Sequence, residues 1–438
     1  MKKIFIILLF LPLTVLSQHY IKGVFSPANE FSYAFLYHAT PNGSNYVNQS
    51  PVDSDGRFKI QLDSTAPAGI YKIVYGLPPE INNFDLIYNG KEDVAVNFDL
   101  KSGLTFTVSN ENQLWSSYNK SMDLINSTIS KFYAEKSSDK KAFKEIFKTL
   151  KDTQEGYEKA SKNTLAHTFI TANRPYIPET YEDLKTYSKH LKINYLKSVD
   201  FSNKLLQSSD FLSNRVISYI FGMNEKEDKT IYKQDIDKLV SLMRASNTNL
   251  EAQTSLLQDV WMQFTQQQND DIANYISNEY LLELSKETQR DWLTDGLLAY
   301  QRTSLGTKAP DFDIAITENG KTITTSLHKL NNANQYLVVF WSSTCGHCLN
   351  ELPKLKSIVP DNTKVIAVGL EEDPESWKKE IVNFPNFTHV LGLEKWENLI
   401  AKDYNVVATP TFFLLNSNKI IIAKPYDVEA LKNILEER

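Results

Sequence analysis

Residues Gln335 to Pro353 read QYLVVFWSSTCGHCLNELP, and the class of the C-terminal fold turns on them. Tyr336 to Trp341 is an unbroken apolar run of buried-strand length, and Ser342-Ser343-Thr344 is a short polar turn. Cys345-Gly346-His347-Cys348 follows, carrying the only two cysteines among 438 residues. A Cys-x-x-Cys where a strand hands over to a helix points to dithiol–disulfide exchange.

Length and composition bound the remainder. Hydrophobic residues make up 42% and aromatic residues 12% of the chain, enough for two or three cored domains. The net charge of −6 is spread along the sequence without a basic stripe, which argues against nucleic acid as a partner. Lys2 and Lys3, the apolar run Ile4 to Leu16 and the small-residue pattern Val15-Leu16-Ser17 read as a signal peptide over residues 1–17, with the mature chain starting at Gln18. That apolar run is shorter than the roughly 20 residues a spanning helix needs. The expected location is therefore the periplasm, with secretion as the alternative. Outside the cytosol disulfides are permitted, yet one closing a two-residue gap staples very little fold, and a structural zinc site would need a second Cys/His cluster that the chain lacks. Redox chemistry is the use that remains, and no cofactor or metal is called for.

Residues 18–109 read as all-β. Phe58 to Leu62 alternates apolar and polar after an Asp55-Gly56 turn, and Ile70–Tyr75, Val94–Phe98 and Leu104–Val108 are further strands, so a small β-sandwich or barrel is expected. Asn48-Gln49-Ser50 matches a glycosylation acceptor, a tripeptide frequent by chance. From Asn110 the period changes: Trp115, Tyr118, Met122, Ile125, Ile129 and Phe132 fall on one helical face, and Phe143 to Leu150 starts a second helix. Helical patterning continues at 184–196, 211–221, 236–243, 256–264 and 272–284, giving an α-helical middle region over 110–302 whose aromatic stripe reads as core. His167 and His190 read as ordinary packing or surface histidines. After the linker GTKAPDFD (306–313), strands and helices alternate to the C-terminus, which implies a central mixed sheet covered on both faces over 303–438. The fold class is thus multidomain α+β, ending in an α/β domain.

The APDF lead-in, FWSSTCGHCLNELP and YNVVATPTFFLLN together resemble the TlpA/ResA-like branch of the thioredoxin superfamily over the last third of the chain. The first 300 residues resemble only loosely the β-plus-helical extensions fused ahead of such domains in exported Bacteroidetes proteins. The resemblance implies a redox-active Cys345–Cys348 disulfide, a cis-proline at Pro410 that presents the Thr409 backbone to an incoming peptide, and Trp341 packed beneath the site. Pro353 matches the proline that interrupts the active-site helix, where it removes one backbone hydrogen bond. Thioredoxins carry a buried acid six residues before the first cysteine; that place is Val339 here, and Glu351, three residues after Cys348, matches the glutamate that replaces it as the proton-transfer group.

At a helix N-terminus, orphan N–H groups and the positive end of the dipole stabilise a thiolate, so Cys345 is the expected nucleophile and Cys348 the resolving thiol. His347 is the tuning residue: an imidazolium beside Cys345 favours thiolate and pushes the couple toward oxidising. Reduction of exported protein disulfides, fed by a membrane electron donor, is the first reading. Oxidase or isomerase activity is the second, because CGHC resembles protein disulfide isomerases. A peroxiredoxin-type peroxidase is disfavoured by Val339, which stands where that family has proline. A redox sensor or copper(I) site within a partner-binding protein is the rival from another class, with His389 as a distal ligand not placeable from sequence. Homodimerisation or partner recruitment is the use considered for the N-terminal region.

Overall fold

A computed structural model describes residues 18–437 except Glu80, Asn319 and Gly320, so the leader segment 1–17 lies outside the described residues. The chain divides into two compact units, the first ending at Val260 and the second starting at Trp261.

The first unit opens with eight strands: β1 (Tyr20–Ser26), β2 (Tyr33–Thr40), β3 (Gly43–Pro51), β4 (Arg57–Gln61), β5 (Gly69–Val74), β6 (Asn83–Tyr88), β7 (Val94–Asp99) and β8 (Gly103–Val108). They form two four-stranded sheets, ordered β4-β1-β7-β8 and β3-β2-β5-β6. The expected strand alternation is realised in β4, where Phe58 and Ile60 turn inward and Arg57, Lys59 and Gln61 outward. Both sheets contribute to one core, Ile21, Phe58, Val94 and Val96 from the first and Leu36, Tyr71, Ile73 and Leu86 from the second, so the domain is a sandwich. Gly23 on β1 is required there, because a Cβ would stand 2.5 Å from the Val96 side chain and carbonyl oxygen.

Eight helices follow: α1 (Asn110–Ala134), α2 (Lys140–Ala160), α3 (Ala166–Ala172), α4 (Leu184–Asn194), α5 (Lys204–Gln207), α6 (Phe211–Phe221), α7 (Lys229–Ala245) and α8 (Leu250–Gln266). Their starts are set by polar caps: Ser109 accepts the Asn112 N–H at 3.3 Å, and Asp139 accepts the N–H groups of Lys141 and Ala142 at 2.8 and 3.0 Å. The apolar face predicted on α1 is buried at Tyr118, Met122, Ile129 and Phe132.

The second unit begins with the end of α8 and with α9 (Asp270–Ile276), a π-helical turn (Ser277–Leu281), α10 (Leu282–Glu287) and α11 (Asp291–Arg302). A hairpin of β9 (Asp313–Glu318) and β10 (Lys321–Ser326), absent from the sequence reading, precedes β11 (Gln335–Trp341). Then come α12 (Gly346–Ile358), β12 (Thr363–Glu371), α13 (Pro374–Glu380), β13 (Thr388–Leu393), α14 (Leu399–Asp403), β14 (Thr411–Asn416), β15 (Ile421–Ala423) and α15 (Val428–Glu436). The five-stranded sheet runs β13-β12-β11-β14-β15, parallel on the β12–β13 side of β11 and antiparallel on the β14–β15 side. Being central, β11 is buried on both faces. Tyr336, Val338 and Phe340 enter one core, and Leu337, Val339 and Trp341 enter the other with Cys348, Leu352 and Leu355 of α12.

Within this unit the helices are pinned to the sheet by a buried ion pair. Asp270, 6% exposed, accepts Lys424 Nζ at 2.9 and 2.8 Å, the Leu305 N–H at 2.6 Å and the Tyr300 hydroxyl. Removing one partner of such a pair strands the other charge in a poorly solvated place. Asp270→Ala is expected to lower the unfolding free energy by about 3–5 kcal/mol, seen as an earlier chemical-denaturation midpoint, with much of the loss recovered when Lys424→Met is added.

Candidate active site

β11 delivers the chain to the turn Ser342–Thr344, and Cys345 is the N-cap of α12. Its Sγ accepts the Cys348 backbone N–H at 3.2 Å, and its S–H reaches the Thr409 carbonyl at 3.5 Å. Thr409 lies opposite the cysteine because Thr411, at the start of β14, pairs with Phe340 at the end of β11. The intervening Thr409–Pro410 peptide is cis. Both cysteines are free thiols: Cys345 is partly exposed, whereas Cys348 is fully buried among Trp341, Leu352 and their neighbours.

The two thiols are driven apart in acidity. Burial pushes Cys345 up, but hydrogen bonds from the Cys348 thiol and backbone, a contact with Thr409 and the His347 backbone N–H together outweigh it and leave Cys345 below its usual value. Burial pushes the Cys348 thiol up to about 12, and the hydrogen bond it gives to Cys345 acts in the same direction. One sulfur is thus more acidic than an ordinary thiol and its neighbour less acidic.

A buried carboxylate that the sequence reading missed supports the turn from below. Glu371, the last residue of β12 and 2% exposed, accepts the Ser343 backbone N–H at 2.6 Å and the Ser342 hydroxyl at 3.3 Å. The Ser342 hydroxyl in turn lies 3.0 Å from that of Thr344. The turn immediately ahead of Cys345 is therefore fixed to the neighbouring strand by side-chain acceptors. Nothing local marked Glu371, because the turn it holds is 28 residues away in sequence.

Residues 334–421 match a family described as thioredoxin-like. The C-terminal region is a thioredoxin-like domain. Among curated proteins, the chain is 28% identical over 116 residues to the sporulation thiol-disulfide oxidoreductase A of Bacillus subtilis, covering 24% of this chain and 70% of that protein. It is likewise 28% identical over 123 residues to the thioredoxin-like protein YneN of the same organism, covering 26% of this chain and 68% of that protein. Among solved structures, the thioredoxin domain of a thiol-disulfide oxidoreductase from Bacteroides vulgatus aligns with 25% identity and a TM-score of 0.26, covering 30% of this chain and 96% of that one.

Other residues singled out in sequence are distributed around the thioredoxin-like domain as follows. Trp341 is fully buried beside Cys348 and meets Phe384 edge-on at 6.3 Å. Pro353 lies inside α12. Glu351 is 8% exposed on α12 and accepts Lys354 Nζ at 2.5 Å. That bond holds its carboxyl below the usual range; burial opposes the effect, while Lys354's charge, the Val428 backbone and the His347 ring assist it. The His347 side chain itself is exposed. His389 sits on β13 with Nε2 bonded to the Phe384 carbonyl at 2.8 Å. Among the described residues no group of three or more His, Cys, Asp or Glu is arranged to hold a metal ion.

Two outcomes are expected from this geometry. A brief pulse of iodoacetamide at neutral pH labels Cys345 and spares Cys348, with the Cys345 rate reaching half its maximum below the ordinary thiol value of about 8.5; mass spectrometry of the digested protein reads both. Glu371→Ala leaves the Ser343 N–H without its acceptor and costs about 1–3 kcal/mol, seen as an earlier chemical-denaturation midpoint. Glu371→Gln, which keeps an oxygen in place, shifts that midpoint less.

Proposed function

We propose that the protein is an exported thiol–disulfide oxidoreductase that exchanges disulfides with proteins outside the cytosol through Cys345 and Cys348. The observation carrying this reading is the opposed acidity of two neighbouring thiols at the start of α12, one lowered and partly exposed, the other raised and buried. The protein is a protein-disulfide oxidoreductase of the thioredoxin-like kind. The leader-like residues 1–17 support export, and among the described residues no helix is long and apolar enough to cross a membrane.

The Cys345 thiolate attacks one sulfur of a substrate disulfide, forms a mixed disulfide and releases the other sulfur as a thiolate that takes up a proton. Cys348 then loses its proton and attacks the Cys345 sulfur, which closes the Cys345–Cys348 disulfide and releases the second substrate thiol. Two electrons leave the dithiol, and a membrane donor of reducing equivalents restores it. Thr409 and Pro410 line the approach to Cys345 and offer backbone to the substrate chain. His347 tunes the nucleophile, with its backbone N–H already directed to the sulfur. Glu351, one turn beyond Cys348, is the proposed acceptor of the Cys348 proton, directly or through water; its pairing with Lys354 makes it a weaker base than an isolated glutamate. The regions over 18–109 and 110–302 are proposed to recruit a partner or a second copy.

A second reading, oxidase or isomerase, is favoured by one observation: hydrogen bonds that stabilise the Cys345 thiolate stabilise the reduced dithiol and raise its potential. Equilibration with glutathione separates the two, since a strongly reducing potential eliminates the oxidase reading. In the exporting cell, Cys348→Ala is expected to accumulate mixed disulfides between Cys345 and exported proteins, visible as reductant-sensitive bands on non-reducing gels and missing from Cys345→Ala. Loss of every such band, with wild-type turnover of a model disulfide no faster than free thiol, would sink the proposal.

A further inference from the structure

Inside the first unit, α6 carries an arginine with no ionic partner. Arg215 Nη1 donates to Asn173 Oδ1 at 2.6 Å, Nη2 donates to the Tyr195 carbonyl at 2.8 Å, and the guanidinium stacks on the Tyr195 ring at 3.6 Å. Its Nε–H is enclosed and has no acceptor. A guanidinium has five N–H donors, and the Nε–H among them is unspent. No salt bridge pairs Arg215 with a carboxylate among the described residues, and the two carboxylates nearby are committed elsewhere. Lys72 Nζ lies 2.8 Å from Asp85 and 3.1 Å from Asp210. Burial, the largest influence on Arg215, pushes its guanidinium below the usual range.

The arginine lines a cavity of about 560 Å³ together with Trp115, Phe169 and Phe211. These three rings meet one another at centroid distances of 5.5 to 6.2 Å and form an apolar wall. Asn119 and Asn214 add neutral polar groups, and Asn214 is exposed. A pocket of this volume that joins an apolar wall to convergent polar groups is a usual form of small-molecule site. A partly buried cation without a counter-ion is unfavourable in the empty protein and is compensated by an anion that brings its own hydrogen-bond acceptors.

From this juxtaposition we infer that the first unit binds a small monocarboxylate with an aromatic or otherwise apolar body, the carboxylate on Arg215 and the body against Trp115, Phe169 and Phe211. A dianion fits less well, because one arginine supplies the charge while Asp85 and Asp210 border the same cavity. The site is separate from the dithiol and does not depend on its chemistry.

Calorimetry and thermal melting on the full chain test this with 3-phenylpropionate, its uncharged amide and phenyl phosphate as probes. The acid is expected to bind and raise the melting temperature, with the amide and the phosphate each at least about tenfold weaker, the margin of a hydrogen bond to a charged group. Arg215→Met should abolish binding of the acid while leaving the ligand-free melting temperature unchanged or higher, since it removes an uncompensated charge. Asn214→Trp, which puts a bulky side chain into the cavity lining and leaves Arg215 in place, should weaken the acid as well, and it serves if the methionine variant does not fold. The inference is overturned by equal binding of acid and amide, by undiminished binding in either variant, or by no binding of the acid at about 10 mM, where even millimolar affinity registers.

Discussion

One hydrogen bond, from the Cys348 backbone N–H to the Cys345 sulfur, ties the chemistry of this protein to its fold. It exists only if Cys345 is the residue that caps α12, which requires the strand β11 to end at Trp341 and the turn to occupy three residues. Any slack in that turn would move the sulfur away from the helix end, where the unpaired N–H groups lie. The buried carboxylate of Glu371 and the antiparallel pairing that brings Thr409 across both serve to remove the slack. The acidity of Cys345 is therefore a property of three strands and one helix held in register.

Much of this was legible in the letters. The run Tyr336 to Trp341 has the length of a buried strand, and the cysteines after it read as standing where a strand hands over to a helix. The 3.6-residue period between Trp115 and Phe132 located α1, and strict alternation located β4. What stayed hidden depends on partners distant in sequence. Glu371 resembles any acidic strand end until β12 is placed beside β11. Arg215 reads as one surface-compatible residue of an amphipathic helix until α3 and α4 close over it. The hairpin of β9 and β10 was missed for another reason: its strands mix threonine and charge with only Ile314, Ile316 and Ile323 as large apolar residues.

Lys424 and Arg215, both partly buried, make an instructive contrast. Lys424 is enclosed with a carboxylate that accepts from it through both oxygens, so its burial is compensated within the chain. Arg215 is enclosed with neutral acceptors and an aromatic face, so part of its capacity is unspent. Similar burial thus carries different meanings. A charge that is fully answered by its own protein is part of the framework, whereas a charge answered in part is available to something else.

The pairing of Asp270 with Lys424 also bears on the order in which the chain can mature. The two residues are 154 positions apart, and Asp270 is synthesised first. Until the last strand, β15, has joined the sheet, the carboxylate at the head of α9 has no cation to meet, and α9 to α11 lack the contact that seats them. Long-range closure of this kind is slow and comes late. The helices ahead of the thioredoxin-like domain therefore reach their final stability only once that domain is complete, so a nascent chain that stalls or is clipped before Lys424 leaves an unfinished platform behind it, ready for proteolysis.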